Sequence, residues 1–429
     1  MEKFFKLKEH GTNVQTEIIA GITTFLTMAY ILAVNPGMLG KTGMPAAGVF
    51  TATALASGIT TLIMAFAANL PVALAPGMGL NAFFTFSVVL GMGYSWQLAL
   101  TAVFLEGILF IILSLSNVRE AIIDAIPANL KKAIAVGIGL FITLIGLTDA
   151  GITSSQTGTI IGFINIKSGP ALLAVIGLVI TAVLYVCKVP AAILLGIIIS
   201  TVIGIPMGVT VVPEGFKPFA TPAAPIFCQF QFKEVLTLKF FTVFFTFLFV
   251  DFFDTVGTLV GVATQGHMMD KDGKIPHVKQ ALLSDAIGTV LGAMLGTSTV
   301  TSFVESTAGV AAGGRTGMTS LTTGILFLIS LFLGPLFLLV PGAATAPALI
   351  MVGSFMIVSV VDIDFKDPTE GIPAFIAIMV MPFAYSIAEG IAWGIISYTI
   401  LKLVTGKAKQ VTVVTWILCV IFILRYIFK

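Results

Sequence analysis

The sequence predicts an all-α, polytopic membrane protein, and three observations carry that prediction. The residues are 57% hydrophobic and only 10% charged, with a mean hydropathy of +1.08. Apolar runs of about 17–24 residues recur along the chain, the length a helix needs to cross a bilayer. A transmembrane barrel would instead alternate in polarity over about ten residues per strand. The few ionisable residues inside the runs are isolated: Asp251 and Asp254 within residues 240–261, and Glu305 within 294–314. A charge at the centre of a membrane helix costs at least about 2.5–3.5 kcal/mol, so such residues usually line a substrate or ion path.

Residues 1–14 are charged and carry no cleavable signal pattern, which reads as a short cytoplasmic segment. Apolar spans follow near 15–34, 48–68, 76–91, 97–115, 131–147, 170–187 and 189–205. A polar loop, 206–239, contains Pro206, Pro213, Pro218, Pro222 and Pro225. The pattern resumes near 240–262, 280–296, 303–314, 317–340, 345–361, 371–385 and 387–403, giving fourteen spans. Lys and Arg concentrate in the loops after even-numbered spans: Arg119, Lys131, Lys132, Lys188, Lys271, Lys274, Lys279, Arg315, Lys402, Lys407 and Lys409. Opposite loops hold Lys41 and Lys167, although Lys217, Lys233 and Lys239 in the central loop dilute the contrast. The positive-inside rule then places both termini in the cytoplasm of a plasma-membrane protein. Residues 411–428 are apolar enough to cross, but crossing would put Arg425 and Lys429 outside. A helix lying in the cytoplasmic interface is therefore expected over 404–429, with a fifteenth span as the alternative.

The two halves resemble each other. Ala54-Leu55-Ala56-Ser57 and Ala281-Leu282-Leu283-Ser284 each open a span that runs into a short, glycine-rich segment. Those segments are A-P-G-M-G-L-N-A-F-F (75–84) and T-S-F-V-E-S-T-A-G-V-A-A-G-G (301–314). Seven spans per half is an odd number, so the repeats, 15–205 and 240–403, must be inverted relative to one another. Paired interrupted segments in two halves point to a carrier's central site, because unwound backbone survives at membrane depth only against protein or a cavity. Chance likeness between helices rich in Gly and Ala is the alternative.

Glu305 opens the second broken segment, where its carboxylate is placed to accept a ligand's N–H groups; alternatively it caps its own half-helix. Asp251 and Asp254, three residues apart, share a helix face. Carboxylates inside a membrane are a means of taking up and releasing a coupling proton, although either one could instead fix helix packing. Asn81 offers a donor and an acceptor to a heterocycle's mixed edge, or caps a helix. Thr23, Thr24 and Thr27 place hydroxyls in the first span, where threonines often bond back to their own helix. Glu106, Asp149, Asp285 and Glu389 read as structural or interfacial, and Arg315 as an interfacial anchor. Phe83, Phe84, Phe252, Phe253 and Phe303 flank the polar positions and could sandwich a planar ring; Phe303 lies two residues before Glu305.

Other chemistries lack their residues. Cys187, Cys228 and Cys419 are widely spaced, and His10, His267 and His277 fall in polar segments, so neither a metal site nor a disulfide framework is expected. No cofactor is expected, nor nucleic-acid binding; the net charge of +2 says little. There is no nucleophile elbow or phosphate loop to suggest an enzyme, and no nucleotide-binding domain to suggest an ATP-driven pump.

The strings G-I-T-T-F-L-T-M-A-Y-I (21–31), A-P-G-M-G-L-N-A-F-F (75–84), F-F-D-T-V-G-T-L (252–259) and E-S-T-A-G-V-A-A-G-G-R-T-G (305–317) resemble the purine branch of the nucleobase–cation symporter-2 family. Its members there are guanine/hypoxanthine/adenine permeases. The resemblance covers essentially the whole chain. It implies seven-plus-seven inverted repeats, with a core domain (spans 1–4 and 8–11) and a gate domain (spans 5–7 and 12–14). It also implies short antiparallel strands in spans 3 and 10, and proton-driven uptake of a purine base. By position it puts substrate contacts on Glu305, Asp254, Phe303 and the backbone near Asn81 or Ala82, with Thr27 and Thr258 beside them. Proton coupling would fall to Asp254, Glu305 and Asp251, with H+ as coupling ion. Thr23-Thr24 stands where the uracil and xanthine branch has Gln-His, and Thr258 where it has a histidine; both departures favour purine over uracil. A homodimer is expected by fold analogy. The rival is an anion transporter or exchanger of the related sulfate and bicarbonate carriers, against which the central carboxylates argue.

Overall fold

The structure, a computed structural model, describes residues 2–115, 127–156, 159–163, 166–167, 169–268 and 275–427. Arg119, Lys271, Lys274 and Lys429, and the side chains of Phe253 and Arg425, lie outside the described residues. Helices follow the apolar runs. The first half of the chain comprises α1 (Glu2–Phe5), α2 (Val14–Met28), α3 (Ile31–Leu39), α4 (Ala46–Ala67), α5 (Met78–Ala82), α6 (Trp96–Leu115), α7 (Ala128–Asp149), α8 (Gly169–Val186) and α9 (Ala192–Gly204). The second comprises α10 (Leu238–Gln265), α11 (Val278–Leu295), α12 (Ser306–Ala311), α13 (Gly317–Ser330), α14 (Gly334–Leu338), α15 (Gly342–Met356), α16 (Pro368–Phe383) and α17 (Ile387–Val404); α18 (Val413–Ile427) closes the chain. Among the described residues, nine helices are long and apolar enough to cross a membrane.

Local chemistry sets the ends. Asn13 caps α2, its side chain accepting the Thr16 N–H at 3.0 Å. Ser386 caps α17 through the Glu389 N–H at 3.3 Å, and Asp367 caps α16 through the Thr369 N–H at 2.9 Å. Each satisfies a donor that the helix start would leave unpaired. The first span departs from its expected bounds: α2 and α3 run nearly end to end, so Val14–Thr42 forms one crossing, interrupted at Ala29–Tyr30.

The two broken segments meet. Strands β1 (Leu74–Pro76) and β4 (Val300–Ser302) pair antiparallel, with Leu74 opposite Ser302, Ala75 opposite Thr301 and Pro76 opposite Val300. A second hairpin, β2 (Thr153–Gln156) with β3 (Thr159–Phe163), was not anticipated between α7 and α8. Its stretch T-S-S-Q-T-G-T-I-I is rich in β-branched residues around a Thr-Gly pair, a strand-and-turn composition.

Helix α18 also departs from expectation. It runs back along α17, so that the Tyr426 hydroxyl reaches Glu389 in the first turn of α17 and its ring lies 5.4 Å from that of Trp393. Leu418, Cys419 and Phe422 are buried. A helix flat on the membrane surface beside the end of α17 could not reach Glu389, so this is the geometry of the further-span alternative.

Two helix groups are evident from packing. In one, α2, α4, α6, α10, α11, α12 and α13 contact one another; in the other, α7, α8, α9, α15, α16 and α17 do. Without a hydrophobic drive between helices in lipid, close backbone approach through small residues holds them. At the α4–α13 crossing, a Cβ on Gly58 would lie 3.1 Å from the Gly324 carbonyl oxygen, and one on Gly324 would lie 3.0 Å from the Gly58 carbonyl oxygen. Gly324→Leu should therefore force the helices apart at a cost of about 1–3 kcal/mol, read as a lower melting temperature in detergent; an unchanged melting temperature would show that the crossing is loose.

Candidate functional site

The site is built where backbone leaves the helical state. Inside a membrane each freed N–H and C=O must be bonded by protein, and the two strands bond one another. Beyond the ladder, the Gly77 N–H donates to Thr299 O at 3.0 Å and the Phe303 N–H to Ala73 O at 2.9 Å. Hydroxyls complete the set. Thr61 Oγ1 accepts the Leu74 N–H at 2.9 Å and donates to Leu74 O at 3.2 Å. Ser306 Oγ accepts the Ala73 N–H at 3.0 Å, and Thr289 Oγ1 donates to Val300 O at 3.1 Å. The half-helices α5 and α12 then start beside this ladder.

Glu305 immediately precedes α12, but its side chain makes no capping bond to that helix. Its Oε1 instead accepts the Tyr30 hydroxyl at 2.5 Å, which distinguishes the placement from the self-capping alternative. Asp254 approaches from α10. Both carboxylates line a cavity of about 490 Å³ together with Thr258, Gly79, Ile138, Lys131, Lys132 and Ser359. A smaller recess of about 80 Å³ at its inner end adds Tyr30, Gly77 and Phe303. Gly77 lies against the acid: a Cβ there would sit 2.9 Å from Thr301 Oγ1 and 3.5 Å from Asp254 Oδ2.

The structure thus brings together Glu305, Asp254, Phe303 and Thr258. It does not bring Asn81, Ala82 or Asp251 to the cavity wall. Asn81 is fully buried; its Nδ2 donates to Pro76 O at 3.3 Å and its Oδ1 accepts from Ser298, so it braces its own turn. Thr27 Oγ1 donates to Thr23 O and Thr24 O at 3.0 and 2.8 Å, reaching Glu305 O only at 3.5 Å. That is the helix back-bonding alternative. Phe83 and Phe84 pack against Phe247 with ring centroids 4.8 and 6.4 Å away, and Phe252 stacks on Phe110 at 6.0 Å; these rings are core, not cavity. Tyr30 was missed, although it sits in the quoted first-span string. A lone Tyr in an apolar run gave no sign of its partner 275 residues away.

Asp251, about 60° round α10 from Asp254, turns away from the cavity into a buried acid cluster. Glu106, Asp251 and Asp285 are each fully buried. Thr255 Oγ1 donates to Asp285 at 2.9 Å, Ser302 Oγ to Asp285 Oδ1 at 3.3 Å and Thr299 Oγ1 to Glu106 Oε2 at 3.2 Å. Glu106 and Asp251 share a further hydrogen bond. Glu106 and Asp285 are therefore interior residues rather than interfacial ones, because their charges sit near the middle of helices that face other helices.

A second overlooked residue fixes the far end of α12. Glu17, fully buried, accepts the Arg315 N–H at 2.8 Å, the Thr319 N–H at 3.1 Å and the Thr319 hydroxyl at 2.6 Å. Arg315 in turn donates through Nη1 to Val310 O and Gly314 O at 2.6 and 2.7 Å. Its guanidinium ties down carbonyls at the end of α12, where Val310 O also accepts the Gly313 N–H at 3.0 Å. The anchor role expected of Arg315 thus acts on α12 rather than on a membrane surface. Glu17→Ala would leave several buried donors unpaired, at about 1–3 kcal/mol each. It should lower the melting temperature clearly more than Glu2→Ala at the exposed terminus, and equal effects would mean that Glu17 is not an anchor.

With the geometry established, comparisons with known proteins place the chain. The family model Xan_ur_permease, described as a permease family, matches residues 15–393. Guanine/hypoxanthine permease PbuG of Bacillus subtilis is 47% identical over the full length of both chains. Adenine permease AdeP of Escherichia coli is 42% identical over all of this chain and 96% of that protein. Among solved structures, the transmembrane domain of a cyanobacterium bicarbonate transporter, BicA, superposes with a TM-score of 0.66 at 16% identity, covering 89% of this chain and 97% of that one. SLC26A9 gives a TM-score of 0.66 at 13% identity over 91% of this chain and 66% of that one. These two establish a shared transporter fold of inverted repeats, and the sequence matches establish descent: the chain belongs to the Xan_ur_permease family of nucleobase–cation symporter-2 permeases.

Proposed function

We propose that this protein is a purine nucleobase permease, importing guanine or hypoxanthine, and adenine next, across the cell membrane by proton symport with alternating access. The observation that carries the proposal is the pair of carboxylates, Asp254 and Glu305, at the inner end of a cavity that also holds Phe303 and Thr258. A purine base presents ring N–H groups along its edges and flat apolar faces. Carboxylates accept N–H groups strongly, and an aromatic side chain packs against a planar ring. The named activities of the relatives, guanine/hypoxanthine and adenine permeases, support the same substrate class. The anion-carrier alternative shares the fold but would place an anion against two carboxylates. Lys131 and Lys132 also line that cavity, and the Lys132 ammonium is engaged by Asp362 O at 2.7 Å.

The two helix groups supply the core and gate domains, and the cavity lies between them. The N terminus is cytoplasmic, and the cavity opens past Lys131, Lys132 and Ser359 to that side. Because α18 returns along α17, we place the C terminus on the opposite side from the N terminus, replacing the interfacial helix expected over 404–429. Asp254 and Glu305 bind substrate and carry the coupling proton. Asp251 acts from behind through the acid cluster rather than by touching substrate. A homodimer remains part of the proposal by fold analogy.

The test is uptake of labelled hypoxanthine, guanine, adenine and uracil into cells lacking their own permeases. Glu305→Gln should cut purine uptake at least about tenfold, since a neutral amide loses the charge-assisted bonds. Full proton-coupled uptake by that variant would remove Glu305 from the site. Tyr30→Phe deletes one hydrogen bond to a charged group, worth about 1.5–3 kcal/mol. It should weaken purine transport by roughly tenfold or more while lowering the melting temperature less than Glu17→Ala, which removes several bonds at once. Parent-like kinetics would show that the Tyr30–Glu305 bond does not position the carboxylate.

A further inference from the structure

Opposite the cavity mouth, a second cluster joins the two helix groups. Lys41, in the turn after α3, pairs with Asp149, the last residue of α7, with Nζ 2.5 Å from Oδ2. The same Nζ stands 5.3 Å from the centre of the Phe86 ring. Phe86 meets Tyr385 edge to face at 6.3 Å, and Tyr385 meets Phe141 of α7 in the same way at 5.4 Å. Lys41 and Phe86 belong to the first repeat's early segments, beside α4 and α6; Asp149, Phe141 and Tyr385 belong to α7 and the α16–α17 turn. Tyr385 holds a left-handed backbone, φ 53°, which a non-glycine residue adopts only where its surroundings impose it.

Cavities lie on both sides of this cluster. The inner one, with Asp254 and Glu305, runs along α7 from Lys131 to Ile138. The outer one, about 770 Å³, is bordered by Ser87, Tyr385 and Trp393. The two share no lining residue. Along α7 the order is Ile138 on the inner cavity, then Phe141 against Tyr385, then Asp149 against Lys41, spread over about 16 Å of helix.

We propose that Lys41 and Asp149, with the Phe86–Tyr385–Phe141 stack, form the outer gate: a latch and plug between core and gate domains that seals the substrate site from the outside and parts once in each transport cycle. This rests on the alternating-access reading above. The pair suits a latch that must open, because its side chains are 37% and 18% exposed and a partly hydrated ion pair holds weakly enough to break. The stack suits a seal, because apolar rings exclude a polar base from the path while the latch is closed. Opening would separate Lys41 from Asp149 and lift Phe86 away from Tyr385, joining the two cavities as the inner mouth narrows.

The test uses the full chain with Cys187, Cys228 and Cys419 replaced by serine, and Ser359→Cys as a reporter at the inner mouth. Labelling of that cysteine by a maleimide is followed in inside-out vesicles, alongside hypoxanthine uptake. Lys41→Asp and Asp149→Lys each put like charges together and should shift the protein towards the outward-open state, slowing labelling by about fivefold. The exchanged pair, Lys41→Asp with Asp149→Lys, should restore the parent labelling rate. Unchanged labelling in both single variants, or an exchanged pair no better than the single variants, would overturn the gate. If labelling follows the expected pattern while no variant, nor the parent, takes up any purine, the gate stands and the substrate assignment falls.

Discussion

The binding region depends on one constraint: backbone that leaves a helix at membrane depth must still have its polar groups bonded. Here the solution is a pair of three-residue strands, Leu74–Pro76 and Val300–Ser302, one from each repeat. Their antiparallel ladder, extended by Thr61, Ser306 and Thr289, lets two half-helices begin at its opposite ends. Everything at the site hangs from that ladder. Glu305 stands at the head of α12 because β4 ends at Ser302, and Asp254 reaches it because α10 passes Gly77, where no side chain intervenes. Glu17 and Arg315 hold the other end of α12, so the half-helix that bears Glu305 is tied down at both ends.

The burial of so many polar groups in a lipid-soluble chain then divides into two functions. Threonine and serine hydroxyls mostly bond backbone oxygens or N–H groups, and serve structure. The carboxylates form two sets on neighbouring faces of α10. Asp254 and Glu305 face a cavity; Glu106, Asp251 and Asp285 face other helices and are braced by Thr255, Thr299 and Ser302. Two acids three residues apart on one helix are about 60° apart around its axis, enough for one to reach the cavity while the other enters the packed cluster.

How much of this was legible in the sequence follows from the same physics. Apolar run length locates helices well, and each expected span coincides with a helical or broken element. Isolated carboxylates flagged Asp254 and Glu305 because their cost in lipid demands a reason. What stayed hidden was pairing. The Tyr30–Glu305 bond, the Glu17 anchor and the Lys41–Asp149 pair each join residues more than a hundred positions apart, and no local pattern encodes them. Asn81 and Thr27 were misplaced for a related reason: a short polar side chain near a broken helix serves its own backbone as readily as a ligand, and composition does not distinguish the two. The β2–β3 hairpin joins strands of four and five residues, too short for a period-two pattern to stand out. The course of α18 was misjudged because a terminal Arg and Lys outweighed an apolar helix that packs along α17.

The central claim is that a cavity with two carboxylates at its inner end moves a purine base together with a proton. Its most direct test is transport by the purified protein in proteoliposomes, with an imposed pH gradient as the sole driving force. Labelled hypoxanthine or guanine should accumulate when the side facing the outer gate is acidic, and should stop accumulating when a protonophore collapses the gradient. Sulfate and bicarbonate should not move. Gradient-independent flux of sulfate or bicarbonate, with no accumulation of any purine, would contradict the claim and return Asp254 and Glu305 to a structural role.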